Sequence, residues 1–348
     1  MNEELLNALS DLCEEKGIDR DVILDALEAA LVAAYKRNFA SAQNVEVFMD
    51  RNTGNVKVMA RKEVVETVND EDAQLEISLE DARAVSGTYQ IGDFVDIEVT
   101  PKNFGRIAAM TAKQVVTQRI REAERGIIYS EYTEKTNEIV SGTVARIERG
   151  NVFVDIGKIE AVLTANEQPE GETYEIHQHL RCYVSEVRNG TKGTQILLSR
   201  THPGLVKKLF EAEVPEIAEG IVEIKSVARE AGSRTKIAVY SNDPDVDPQG
   251  ACIGPKGMRV QRIGEELKNE KIDIVKGSED PAEFIAASLS PSKVLSTTVD
   301  EEEKSAQVIV PEYQLSLAIG KAGQNVRLAA RLTGWKIDII SDKAGEQE

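Results

Sequence analysis

The stretch CIGPKGMRV, residues 252–260, sets Gly254 and Gly257 three residues apart inside a segment that otherwise has helical character. Glycine opens backbone angles closed to other residues and lets a second backbone come close. A helix that restarts after Gly257 points free N–H groups, and the positive end of its dipole, at whatever lies over the loop. Lys256 and Arg259 add positive charge there. Such a loop can clamp a phosphate-bearing chain. Taken alone, it is more simply a glycine-terminated helix followed by another helix, so the reading turns on the rest of the chain.

The surroundings repeat. Residues 203–275 read as helix, strand (221–229), strand (235–241), helix (247–253), the GPKG loop, helix (258–268) and strand (271–275). Residues 281–340 give the same order. Ile319-Gly320-Lys321-Ala322-Gly323 stands 66 residues after Ile253-Gly254-Pro255-Lys256-Gly257, and the closing KIDI strand occurs at 271–274 and again at 336–339. An internal repeat about one domain long changes the odds. Two Gly-x-x-Gly loops, each preceded by Ile and followed by a helix and a KIDI strand, are the loops of KH modules of the prokaryotic type, which clamp about four nucleotides of single-stranded RNA. Gly254, Gly257, Gly320 and Gly323 are expected to provide close approach. Lys256, Arg259, Lys321 and Arg327 are expected to supply charge, and Ile253 and Ile319 to anchor each loop in its core. Pro255, Ala322 and Gln324 complete the candidate RNA contacts.

Upstream, residues 138–200 form short strands (EIVSGTVARIE, NVFVDIG, EAVLT, RCYVSEVR, TQILLSR) separated by turns such as RNGTKGT. That spacing predicts a five-stranded barrel of the oligonucleotide-binding type. The first hundred residues predict helices over 1–16 and 20–38, a hairpin of 44–49 with 55–60 around RNTG, and a strand at 91–99. A long helix over 101–125 follows. It carries Lys102, Arg106, Lys113, Arg119, Arg121 and Arg125 against Glu122 and Glu124.

Composition sets the bounds. The 348 residues exceed one ordinary core and call for several domains. The formal net charge is −18, which runs against a nucleic-acid binder, but the excess is local: residues 1–100 hold 22 acidic against 9 basic side chains, residues 101–200 hold 13 against 14. The acidic first third therefore reads as a protein-binding or solubility face. No apolar run is long enough to span a bilayer, and the acidic N-terminus is unlike a secretory signal. Cys13, Cys182 and Cys252 form no CxxC pair. A cytoplasmic location is expected.

Other chemistry is poorly supported. A P-loop fails because Ala322 follows Gly320-Lys321 and Leu315 stands where the first glycine belongs. The NDPDVDP stretch lacks the final Glu of a calcium loop and reads as a turn with a helix cap. His177 and His179 have no partner at ligand spacing. No nucleophile–base arrangement stands out, so no enzyme activity, metal or cofactor is expected.

An α/β N-terminal domain, an S1-type barrel and two abutting type II KH domains give a multidomain α+β chain. It resembles the NusA family of bacterial transcription elongation and termination factors over nearly its whole length. The most specific stretches are FGRIAAMTAKQVVTQRIREAER, NDPDVDPQGACIGPKGMRVQRIGEEL, FIAASLSPSKV and LSLAIGKAGQNVRLAARLTGWKIDI. The resemblance implies domains at 1–133, 134–200, 201–276 and 277–344, with a short tail at 345–348. It implies RNA polymerase binding near the RNA exit channel through residues 1–133, with Lys102, Arg106, Lys113, Arg119 and Arg121 as contacts. It also implies nascent single-stranded RNA held by the S1 and KH domains, a monomer, and other antitermination factors as further partners. The sequence ends shortly after the second KH domain, so regulation through the acidic C-terminal repeats of some relatives is not expected. One departure concerns the barrel. S1 domains usually stack bases on two aromatics and use a His, whereas only Phe153 matches here, with Asn151 and Thr164 near the other positions. At about 1–3 kcal/mol per stacked base, the KH pair is expected to carry most of the contact. A factor of ribosome assembly or RNA turnover, and a protein scaffold with vestigial loops, are the competing classes.

Overall fold

A computed structural model of the chain describes residues 11, 13–14, 19–39, 44–50, 53–69, 73–190 and 193–342. Most of the helix expected over 1–16 lies outside those residues. Contacts divide the chain into two units, Met1–Ile127 and Ile128–Glu348.

In the first unit, helix α1 (Arg20–Phe39) buries Ile23, Leu24, Leu27, Leu31, Ala34 and Tyr35, the stripe that its sequence spacing predicts. Strand β1 (Val45–Met49) alternates, with Val45, Val47 and Met49 buried. It pairs antiparallel with β2 (Val56–Val65). The short β3 (Glu76–Ser78) runs parallel to the end of β2. Ser78 then caps α2 (Leu79–Val85), its Oγ accepting from the Asp81 amide at 3.1 Å. β4 (Phe94–Glu98) closes on the other side of β2.

Helix α3 (Phe104–Glu134) places Phe104, Ala108 and Ala112 in the same core as α1. It runs past the expected end at 125. Its last turns have a partner that local pattern does not reveal: Tyr132 is 2% exposed in the barrel core, and its Oη donates to the Ile156 carbonyl at 3.1 Å.

In the second unit, β5 (Ile139–Glu148), β6 (Asn151–Asp155), β7 (Glu160–Leu163), β8 (His179–Gly190) and β9 (Gly193–Ser199) form a closed barrel in the order β5-β6-β7-β9-β8. Alternate residues such as Val152, Val154, Ala161 and Leu163 fill it. The buried Arg200 ties the barrel to the first KH module. Its Nε donates to Glu172 at 3.0 Å, and its Nη atoms donate to the carbonyls of Arg181 at 2.6 Å and Glu266 at 2.8 Å.

The first KH module contains α4 (Pro203–Glu213), α5 (Pro215–Ala218), β10 (Val222–Glu230), β11 (Arg234–Ser241), α6 (Pro248–Ile253), α7 (Met258–Glu266) and β12 (Lys271–Lys276). β10 and β11 are antiparallel, β11 and β12 parallel. The second module repeats this with α8 (Pro281–Ser288), β13 (Ser296–Asp300), β14 (Ser305–Val310), α9 (Leu315–Ile319), α10 (Gln324–Thr333) and β15 (Lys336–Ser341). Asp247 caps α6 by accepting from the Gln249 and Gly250 amides, so NDPDVDP is indeed a turn and cap.

β11 is buried on both faces. Ile237 and Val239 face the first module's helices. Ala238 joins Ala228, Val275, Leu328 and Leu332, with Phe284 and Ala287 packed against them. One cluster thus draws on both modules. The fully buried Lys236 lies on this junction, donating to Asp273 at 2.9 Å and to the Ser290 carbonyl at 2.8 Å. The two KH modules thus share a packed junction as well as a short connector.

Candidate nucleic-acid interface

The two Gly-x-x-Gly loops have nearly the same backbone. Gly254 and Gly320 sit at φ 73° and 78°, Gly257 and Gly323 at φ 76° and 73°. Lys256 (φ 53°) and Ala322 (φ 51°) are non-glycine residues in left-handed conformation. Neither α7 nor α10 has a side-chain cap at its start; the amides of Met258 and Gln324 donate instead to the loop carbonyls of Pro255 and Lys321. Pro255, Lys256, Lys321 and Ala322 are all exposed. Among the described residues Lys256 and Lys321 form no ion pair, which leaves them as the loops' unpaired cations.

The glycines divide their work in a way the sequence did not reveal. A Cβ on Gly254 would lie 2.6 Å from Arg259 Cγ, and one on Gly320 would lie 2.8 Å from Asn325 Cβ. The first glycine of each loop is therefore required by the loop's own packing. A Cβ on Gly257 or Gly323 would meet nothing within 4 Å. The second glycines combine left-handed backbone with open space, and they are where another chain can come close.

Several expected roles need correction. Ile253 and Ile319 were expected to anchor the loops, yet they are 41% and 37% exposed. The buried anchors are the residues just before them, Cys252 and Ala318, both 0% exposed. One helical step of 100° separates the core face from the loop face, and short helices give too little periodicity to choose between them. Exposed Ile253 and Met258 flank the first loop, and exposed Leu317 and Ile319 lie just before the second.

Arg259 is not free charge. Its Nη1 donates to the Ala251 carbonyl at 2.6 Å and to Glu216 at 2.9 Å. Asn325, at the equivalent place in the second module and 2% exposed, donates from Nδ2 to the carbonyls of Ala318 at 2.9 Å and Leu289 at 3.1 Å. Both side chains pin the end of the preceding helix. Arg327 and Gln324 are likewise engaged between the modules. Arg327 Nε donates to Glu230 at 2.7 Å, and Gln324 Nε2 donates to Glu230 and Ser233 at 2.8 Å each.

Other buried polar groups missed in the sequence support the first loop's module. Glu270 accepts from Arg229 Nε and Nη2 at 2.9 Å each, from the Gly232 amide at 3.0 Å and from Thr235 Oγ1. Burial pushes its carboxyl up, but the Arg229 guanidinium and the other donors outweigh this and hold it below the usual range. The sequence signal available was only a Glu immediately before KIDI.

In the barrel, Phe153 is half-buried, and the Arg146 guanidinium carbon stands 3.5 Å from its ring centroid. On α3 the basic residues do not form one patch. Lys113 and Arg121 line an open groove with Met110, Thr117 and Arg125. Arg119 pairs with Glu122 at 3.0 Å. Lys102 and Arg106 lie exposed near the helix start.

Four family models match in series: the NusA N-terminal domain over residues 4–126, the S1 RNA binding domain over 133–199, the NusA-like first KH domain over 200–277 and the NusA-like second KH domain over 281–347. The transcription termination/antitermination protein NusA of Bacillus subtilis is 60% identical over 342 residues, covering 98% of this chain and 92% of that protein. This chain belongs to the NusA family. The Thermus thermophilus NusA is 44% identical over 348 residues, covering 97% of this chain and 89% of its own length. The solution structure of the N-terminal domain of B. subtilis NusA shares 60% identity, covers 36% of this chain and 99% of its own, and gives a TM-score of 0.32. The chain is thus a termination/antitermination family member with an S1 RNA-binding domain and two KH domains. Among the described residues no group of three or more His, Cys, Asp or Glu is placed to hold a metal ion, and no helix is long and apolar enough to cross a membrane.

Proposed function

We propose that the chain is a cytoplasmic, monomeric transcription factor that docks on RNA polymerase near the RNA exit channel through residues 1–133 and holds the emerging single-stranded RNA across its S1 and KH domains. Pausing, termination and antitermination would be modulated through that grip. The observation that carries this reading is the pair of matching loops, each with an open second glycine, an exposed lysine and an uncapped helix start. A phosphate approaching Gly257 or Gly323 meets no Cβ and lies at the positive end of the following helix's dipole. The exposed Ile253 and Met258 beside the first loop, and Leu317 and Ile319 beside the second, offer apolar surface to the bases. The shared KH core holds both loops on one body, so a strand that engages one finds the other at high effective concentration.

Polymerase docking is assigned to the groove on α3 that Lys113 and Arg121 line. The test uses the full chain in two assays, filter binding to unstructured single-stranded RNA and co-precipitation with core polymerase. Charge reversal at Lys113 and Arg121 should weaken co-precipitation and leave RNA binding unchanged. Full retention of polymerase by that variant would remove α3 from the interface. Absence of RNA binding by the parent chain would sink the reading as a whole.

A further inference from the structure

Arg146 and Phe153 lie directly opposite each other in the antiparallel pairing of β5 and β6, beside a register shift between Val144 and Arg146. Val152 and Val154 on either side of Phe153 are buried in the barrel, so alternation turns Phe153 outward, and the register shift, which breaks the alternation after buried Val144, sets Arg146 opposite it on the same outer face. The guanidinium rests on the ring, its carbon 3.5 Å from the centroid. Its edges are also taken. Nη1 meets Glu148 at 2.7 Å, and Nε and Nη2 meet Glu160 at 3.2 and 3.1 Å. One face is on Phe153 and the edge is held by two carboxylates. What remains is the second face of the guanidinium, on a side chain 39% exposed.

A guanidinium is planar and delocalised and stacks on aromatic rings. Splayed RNA bases stack on arginine planes as well as on aromatic side chains. Barrels of this type bind oligonucleotides on the face of their second and third strands. Here those are β6, which carries Phe153, and β7, which carries Glu160. The barrel has only one aromatic at the usual stacking positions, and the structure covers it. The covering group is itself a stacking surface, flattened and fixed on three sides. Glu148 and Glu160 together outweigh its single positive charge, so its contribution is a plane rather than attraction for phosphate.

We propose that Arg146, held flat on Phe153 by Glu148 and Glu160, is the platform on which the S1 barrel stacks one unpaired RNA base. The proposal rests on the RNA-binding reading above and assigns the contact within it.

The test is Arg146→Lys in the full chain, which keeps the charge and removes the plane. Binding is measured by fluorescence anisotropy with an unstructured RNA long enough to reach the barrel and both loops. A parallel series of RNAs each carries one abasic nucleotide. On the intact RNA the variant should bind about five- to twenty-fold more weakly, as expected for one lost stacked base. At one abasic position, or two adjacent ones, parent and variant should agree within about two-fold, because the stacking partner is already missing. The salt slope should not change, since no phosphate contact is lost. Equal weakening on every abasic RNA, or no weakening on any, overturns the platform. Tighter binding by the variant also overturns it, because Arg146 is then a lid over Phe153. In each of these cases RNA binding by the parent persists, which separates failure of the platform from failure of the functional reading.

Discussion

Replacing Pro255 and Lys256 together by Asp tests the first clamp directly. Both side chains are exposed, so the change touches no core. Lys256 stands at φ 53°, ψ 25°, a left-handed conformation that Asp tolerates better than most residues. Losing Pro255 loosens the unfolded chain and costs about 0.4–1 kcal/mol. Two carboxylates near the start of α7 recover about 0.3–1 kcal/mol each through the helix dipole. The net effect on stability should be within about 1 kcal/mol, and the melting curve should barely move. Binding should respond differently. The carboxylates would face phosphates, and like-charge juxtaposition costs several kcal/mol, against about 1.4 kcal/mol per tenfold. Affinity should fall at least tenfold in filter binding. Salt dependence adds a second measure. For single strands each neutralised phosphate contributes about −0.7 to the log–log slope, so the two exposed loop lysines contribute about −1.4 and the variant should flatten the slope by about 0.7. RNA binding equal to the parent's, with an unchanged melting curve, would show that GPKG is only a turn between helices.

Truncating Leu328, fully buried where the two KH modules share a cluster, should cost about 2–5 kcal/mol in denaturant unfolding; a loss below about 1 kcal/mol would show that the modules do not depend on that contact. Glu270 has a carboxyl held below the usual range, so the unfolded state binds its proton more tightly than the folded state does. Its stabilisation is present above the unfolded carboxylate range near pH 4.3 and is lost as pH falls through the lower folded value. Glu270→Gln should therefore flatten the acid limb of stability against pH while costing about 3 kcal/mol at neutral pH, because Arg229 is left buried without its partner; an unchanged acid limb would contradict the assignment. Burial pushes the thiols of Cys182 and Cys252 up to about 12, so at pH 8 both should resist a thiol reagent until denaturant is added. Rapid labelling of Cys252 in the native chain would mean that α6 opens next to the GPKG loop.

The sequence by itself determined what is local and periodic. The two loops, their offset of 66 residues, the strand and helix order of each KH module and the alternating barrel strands are all written in neighbouring residues. So is the Asp247 cap, because a cap acts within three residues of itself. What only the tertiary structure decided involves partners far apart along the chain. Arg327 meets Glu230 across 97 positions and Arg229 meets Glu270 across 41. No local pattern ties those charges together, so Arg259, Gln324 and Arg327 looked like free RNA contacts until their partners were in place. Which side Ile253 and Ile319 face is left open by the sequence for a related reason. A helix of five or six residues turns too few times for its periodicity to separate the core face from the loop face. The placement of Arg146 on Phe153 required the β5–β6 register, set by the bulge beside Val144. Burial and long-range pairing, rather than residue type, decided which cations are left to meet a ligand.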